Sequence, residues 1–81
     1  MRVDKFLKNS RIIKRRQVAK EACENERVKI NDKIAKAGSI VSPGDIIEVS
    51  FGRSTLKVRV TDLIDGAKKN DADAMYEVID G

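Results

Sequence analysis

Histidine and tryptophan are absent from this 81-residue chain, and it has one cysteine and one proline. Without histidine, the commonest general base and the commonest metal ligand are missing. The lone cysteine, Cys23, excludes an internal disulfide. No cluster has zinc spacing, and neither a Walker loop nor a G-x-G-x-x-G motif occurs. Only three aromatic residues exist, Phe6, Phe51 and Tyr76, so the core must be mostly aliphatic and no base-reading aromatic platform is evident. No apolar run approaches the ~20 residues of a membrane span. The N-terminus alternates charged and apolar residues and has no signal-peptide apolar region. The expectations are a chain that is not an enzyme, needs no cofactor or metal, meets no membrane, is cytoplasmic and acts as a monomer.

Charge is what the sequence has in excess. Charged residues make up 37%, against about 25% for an average globular domain. They are also polarised. Within the first twenty residues Arg2, Lys5, Lys8, Arg11, Lys14, Arg15, Arg16 and Lys20 oppose one acid, Asp4, giving that segment +7. The remaining nine bases and twelve acids leave −3 on the other 61 residues. Such a field attracts phosphate, so the first hypothesis is RNA or DNA binding through the N-terminal segment.

Periodicity gives the layout. Val3, Phe6, Leu7 and Ser10 fall on one helical face, predicting a helix from Arg2 to about Asn9. Ser10 to Lys14 reads as a connection. A second helix is expected from about Arg15 to Asn25, with Val18, Ala19, Ala22 and Cys23 forming its apolar arc and Arg16 and Lys20 together at one edge. Arg15 would fall inside that arc, which places it in a frayed first turn. The small residues Ala19 and Ala22 allow close helix approach.

After Asn25 the period changes to two. Val28 and Ile30 form a strand, Asn31-Asp32 a two-residue turn, and Ile34-Ala35 a short return strand. Ser42-Pro43-Gly44-Asp45 has the residues of a type II turn. Ile47, Val49 and Phe51 alternate in one strand. Gly52-Arg53-Ser54 forms a hairpin turn. Leu56, Val58 and Val60 alternate in the next strand, with Ile64 a candidate to continue it. Asp65 to Asp73 reads as a loop or one short helix, and Met75 to Ile79 as a candidate last strand with Tyr76 and Val78 on one face. The fold class is α+β, a two-helix layer on a small antiparallel sheet, in a single domain over residues 1–81.

The order of these elements resembles the S4 RNA-binding domain. The residues that carry the resemblance are R-V-D-K-F-L at Arg2 to Leu7, R-x-x-x-A-K ending at Lys20, V-K-I-N at Val28 to Asn31, A-K at Ala35-Lys36 and V-S-P-G-D at Val41 to Asp45. They span an S4 core of about residues 2–51, with a strand extension over about 52–81. Val49 to Gly52, Lys68-Lys69 and Met75-Tyr76 are further similar to the small stand-alone S4 proteins of bacterial ribosome quality control, of the RqcP type. Those are relatives of the ribosome-associated heat-shock S4 protein. The resemblance implies binding to ribosomal RNA of a stalled large subunit and to the peptidyl-tRNA it holds. It also implies cooperation with a tRNA-recruiting factor that tails the nascent chain with alanine. The alternative is a generic S4 module, acting in heat-shock ribosome recycling or beside an RNA-modifying enzyme.

Arg2 and Arg16 are the leading RNA contacts, because a guanidinium fork fits phosphate bidentately and both align with S4 positions that face RNA. Lys5, Lys8, Arg11, Lys14, Arg15 and Lys20 are further candidates, of which a single flat patch would use about half. Lys36 is expected to extend the patch. Against these readings stand solvated surface charge and, for Arg2, an ion pair with Asp4. Asp4 reads as a brace for the first helix rather than a catalytic acid, Cys23 as a buried small residue, and Phe6 and Phe51 as core; Tyr76 stays open between RNA contact and sheet closure. The chain departs from the S4 pattern where glycine is usual. Asn25-Glu26 follows the second helix, and Asp32 follows Asn31. Gly38 stands where serine is common, without a physical explanation.

Overall fold

The computed structural model describes residues 1–63 and 74–80. Two helices come first, α1 at Val3–Asn9 and α2 at Arg16–Glu24. Five strands follow: β1 at Val28–Ile30, β2 at Lys33–Ile34, β3 at Ile46–Phe51, β4 at Ser54–Val60 and β5 at Tyr76–Asp80. The strands form one sheet in the order β2-β1-β3-β4-β5, every neighbouring pair antiparallel. Ile64 and the segment expected as a loop or short helix, with Lys68 and Lys69, lie outside the described residues.

Alternation places most of the apolar residues of the three central strands on one side, while Ile34, Val78 and Ile79 on the outer strands are exposed. Val28 pairs with Val49, Ile30 with Ile47, Ile47 with Val58, and Val60 with Tyr76. The helices cover that face. Val3, Phe6 and Leu7 of α1 and Ala19 and Cys23 of α2 are fully buried with Val28, Ile47, Val49, Val58, Val60 and Met75 in one aliphatic cluster. Tyr76 is half-buried against it, which favours sheet closure.

Two expectations about burial fail. Val18 is 47% exposed and Phe51 is 44% exposed. On α2 the small residues Ala19, Ala22 and Cys23 pack inward, and Val18 sits at the edge of that narrow stripe. Phe51 does occupy the core side of β3, two residues beyond Val49. It lies at the last pair of the β3–β4 hairpin, opposite Ser54, where the cover ends. The helix bounds also shift slightly. Arg2 and Arg15 are extended residues preceding α1 and α2, so Arg15 is not in a frayed turn. The second strand closes at Ile34, with Ala35 just beyond it and buried.

The turns explain the missing glycines. Helix α2 ends with Glu26 at φ 60°, its N–H donating to the Cys23 carbonyl (3.1 Å) while Arg27 N–H donates to the Ala22 carbonyl (2.9 Å). This is a Schellman cap with glutamate in the left-handed position, where glycine is preferred. The left-handed residue is therefore Glu26 rather than Asn25. In the β1–β2 turn both Asn31 (φ 51°) and Asp32 (φ 68°) are left-handed, as a type I′ loop requires. Asn31 also fixes the turn in space. Its Oδ1 accepts from Ile46 N–H at 2.9 Å and its Nδ2 donates to Asp45 Oδ1 at 3.1 Å. Gly44 (φ 94°) takes the left-handed place of the type II turn, closed by Asp45 N–H on the Ser42 carbonyl at 3.1 Å.

Glycine at position 26 should stabilise the protein. A left-handed side-chain residue costs about 1–2 kcal/mol, and added glycine freedom in the unfolded chain takes back about 0.4–1 kcal/mol. Glu26→Gly should therefore gain about 0.5–1 kcal/mol, read as a melting temperature a few degrees higher. Asp32→Gly should gain less, because aspartate tolerates this region better. An unchanged or lower melting point for Glu26→Gly would mean that the cap strain is not there.

Candidate nucleic-acid interface

The start of α1 has no side-chain cap. A loop of the chain itself takes that role. Val3 N–H donates to the Ser39 carbonyl at 2.7 Å and Asp4 N–H approaches the Ala37 carbonyl at 3.5 Å. Asp4 Oδ1 accepts from Lys5 N–H at 2.8 Å. Three of the four N–H groups that a helix start leaves unpaired are thereby satisfied. Arg2 continues the docking through an antiparallel bridge to Ile40. The loop carrying Lys36 is thus fastened beside the N-terminus of α1. Lys36 itself is exposed, its N–H held by Ser39 Oγ at 2.9 Å.

Asp4 is 2% exposed, and its Oδ2 faces two guanidinium groups. Arg2 Nη2 donates to it at 3.3 Å, and Arg16 Nε lies 3.6 Å from the same oxygen. Arg2 and Arg16 remain 49% and 51% exposed at their side chains. Each guanidinium therefore has one side turned to a buried carboxylate and much of the rest in water. A buried carboxylate needs such partners, since an unpaired charge in the interior is strongly unfavourable. The trio keeps one net positive charge.

The other cations are spread around this centre. Lys20, four residues after Arg16, shares its face of α2 and is exposed, as is Arg15. Lys8 is exposed in the last turn of α1, and Arg11 follows it in the left-handed region at φ 62°. The seven residues of α1 make a helix about 10 Å long, so Lys8, in its last turn, is offset along the axis from Arg2 by roughly that length. Lys14 is exposed in the connection, and Lys5 is half-buried on α1. The structure unites Arg2, Arg16 and the Lys36 loop. Lys8 and Arg11 lie at the other end of α1, and Lys14 lies in the connection, two residues before Arg16. Sequence reasoning pairs Asp4 with Arg2, two residues away. It misses Arg16, because nothing in local spacing announces a contact between helices.

Among the described residues no three His, Cys, Asp or Glu side chains group to hold a metal ion. Cys23 is fully buried, and its thiol is pushed up to about 11 by burial first, then by the charges of Asp4 and Glu24. It stays protonated at neutral pH and is a poor nucleophile. The unfolded thiol loses its proton at about pH 8.5, whereas the folded one keeps it. Stability from this group is therefore full below that pH and falls as pH rises from about 8.5 towards 11. Cys23→Ala should remove that component of the alkaline decline, cost about 1 kcal/mol at neutral pH and keep RNA binding. Equal alkaline decline in both proteins, from melting curves at matched pH, would count against this.

Comparison with known proteins identifies the family and matches the fold. Residues 1–47 match the model of the S4 domain. The chain is 49% identical over 79 residues to the RQC P-site tRNA stabilizing factor of Bacillus subtilis, covering 98% of this chain and 92% of that relative. To the protein of the same description in Halalkalibacterium halodurans it is 46% identical over 78 residues, covering 96% and 89%. Among solved structures, trimeric Vibrio cholerae Heat Shock Protein 15 superposes with a TM-score of 0.89 at 25% identity, over 96% of this chain and 80% of that one. The solution structure of hypothetical protein HP1423 superposes with a TM-score of 0.85 at 25% identity, over 100% and 99%. The match of residues 1–47 to the S4 domain and the 46–49% identity over nearly the whole chain show that the chain belongs to the S4 domain family and, within it, to the RQC P-site tRNA stabilizing factors.

Proposed function

We propose that this protein binds the large ribosomal subunit stalled with peptidyl-tRNA, holds the tRNA in the P site and so supports template-free alanine tailing of the nascent chain. It is a binding factor, not an enzyme. The observation that carries the reading is the convergence of Arg2 and Arg16 on Asp4, at the centre of the +7 segment. This makes a cationic site fixed on secondary structure rather than on mobile side chains alone. Such a site grips RNA backbone and shape and makes little demand on sequence. Arg2, Arg16 and Lys36 meet one RNA backbone. Lys20, Arg15 and Lys14 extend that contact. Lys8 and Arg11, at the other end of α1 with Lys5 between, face a second. A cationic surface of this kind suits a junction of ribosomal RNA and tRNA. The protein works in the cytoplasm as a monomer, beside a factor that recruits the alanine tRNA.

The likeness to Heat Shock Protein 15 supports a second reading, ribosome recycling under heat shock. Sedimentation separates the two. Tagged protein should travel with large subunits carrying peptidyl-tRNA, more than with empty subunits or whole ribosomes, and a deletion strain should lose alanine tails. Equal binding to loaded and empty subunits, with tails intact in the deletion strain, would leave only general RNA binding.

A further inference from the structure

We propose that Asp4 is the positioning residue of the interface, converting Arg2 and Arg16 from two separate surface charges into one preorganised phosphate clamp. The inference rests on the RNA-binding reading of that site. Two guanidinium groups 3.3 and 3.6 Å from a single carboxylate oxygen cannot be far apart. One comes from the start of α1 and the other from the start of α2, and Asp4 joins them. Each is held on its protein side and roughly half exposed on the other. One phosphate, or two consecutive ones, can then meet both forks without either side chain being ordered at the moment of binding. Long side chains otherwise give up rotamer freedom on contact, which weakens association. Asp4 is itself fixed, because Oδ1 accepts from Lys5 N–H and the residue is buried.

Electrostatics alone makes the opposite prediction, and this gives the test its edge. Asp4→Asn removes a negative charge beside the site, so a plain charged patch would bind RNA more tightly. A clamp would bind more weakly, because asparagine keeps the Lys5 hydrogen bond but no longer draws in two cations. We expect about tenfold weaker binding to loaded large subunits, the low end of what removing an orienting outer partner costs at ligand sites. In an Arg16→Ala background the same change should weaken binding less, because only Arg2 is left for Asp4 to hold. Unchanged or tighter binding by folded Asp4→Asn overturns the proposal. If Arg16→Ala alone leaves binding intact, the site reading fails instead.

Should Asp4→Asn not fold, the unmutated protein still decides. The Arg16 Nε–H should be protected from solvent exchange in nitrogen-edited spectra, relative to Arg53 in the exposed hairpin. Exchange as fast as that of Arg53 would show that no such hold exists.

Discussion

Replacing Arg2 and Arg16 together by alanine should abolish measurable binding to tRNA-loaded large subunits at physiological salt. It should also lower the melting temperature, because the buried Asp4 loses both cationic partners, so binding is measured where circular dichroism shows the double variant folded. Removing each phosphate interaction should flatten the dependence of binding on salt by roughly 0.7–1 in log–log slope. Each single change should weaken binding by about tenfold to a hundredfold, since hydrogen bonds to charged groups are worth about 1.5–3 kcal/mol. Because both side chains share Asp4, the two effects should not add: residues within one charge network couple. Alanine at Lys8, at the far end of α1, should lower binding less and independently. A double variant that binds with wild-type affinity and slope would move the interface to another surface.

Alanine at Phe6 should bring the protein close to unfolding, whereas alanine at Phe51 should scarcely be felt. Phe6 is completely buried between the helix layer and the sheet, and it is the largest side chain in the core. Removing such a ring costs about 3–5 kcal/mol. An 81-residue domain has about 4–12 kcal/mol of stability in all, so that single deletion approaches the total. Phe51, at the uncovered end of β3, should change stability by less than about 1 kcal/mol, since much of its ring already meets water. Denaturant midpoints of the two variants provide the comparison, and equal destabilisation would contradict the burial described.

The contrast between the two phenylalanines shows where sequence reading stops. Both lie at apolar positions of a clear periodic pattern, and periodicity reports which side a residue faces. It does not report how far the opposite layer extends. The same holds for Val18, at the edge of an arc whose width depends on how closely α2 approaches its neighbours. The helices, the alternating strands, the Gly44 turn and the two-residue Asn31-Asp32 loop are legible, because each depends on residues within a few positions of one another. Glu26 is harder. Its left-handed φ follows from the helix stopping at Glu24, and helix ends are set by competing caps within a residue or two. In the site, Arg2 and Arg16 are legible as charges and as matches to S4 positions. Their meeting at Asp4 is not, since Arg16 reaches it from a second helix, far along the chain.

The docking of α1 onto residues 37–39 bears on when the protein becomes able to act. Hairpins such as β3–β4 close over two residues and form early, while a contact between residues 2 and 40 must gather a long stretch of chain. A nascent or partly unfolded chain has all eight N-terminal cations, yet lacks the shelf that seats the first helix. Competence to grip RNA is thereby tied to completion of the fold, and an unfinished copy would offer the ribosome only diffuse charge.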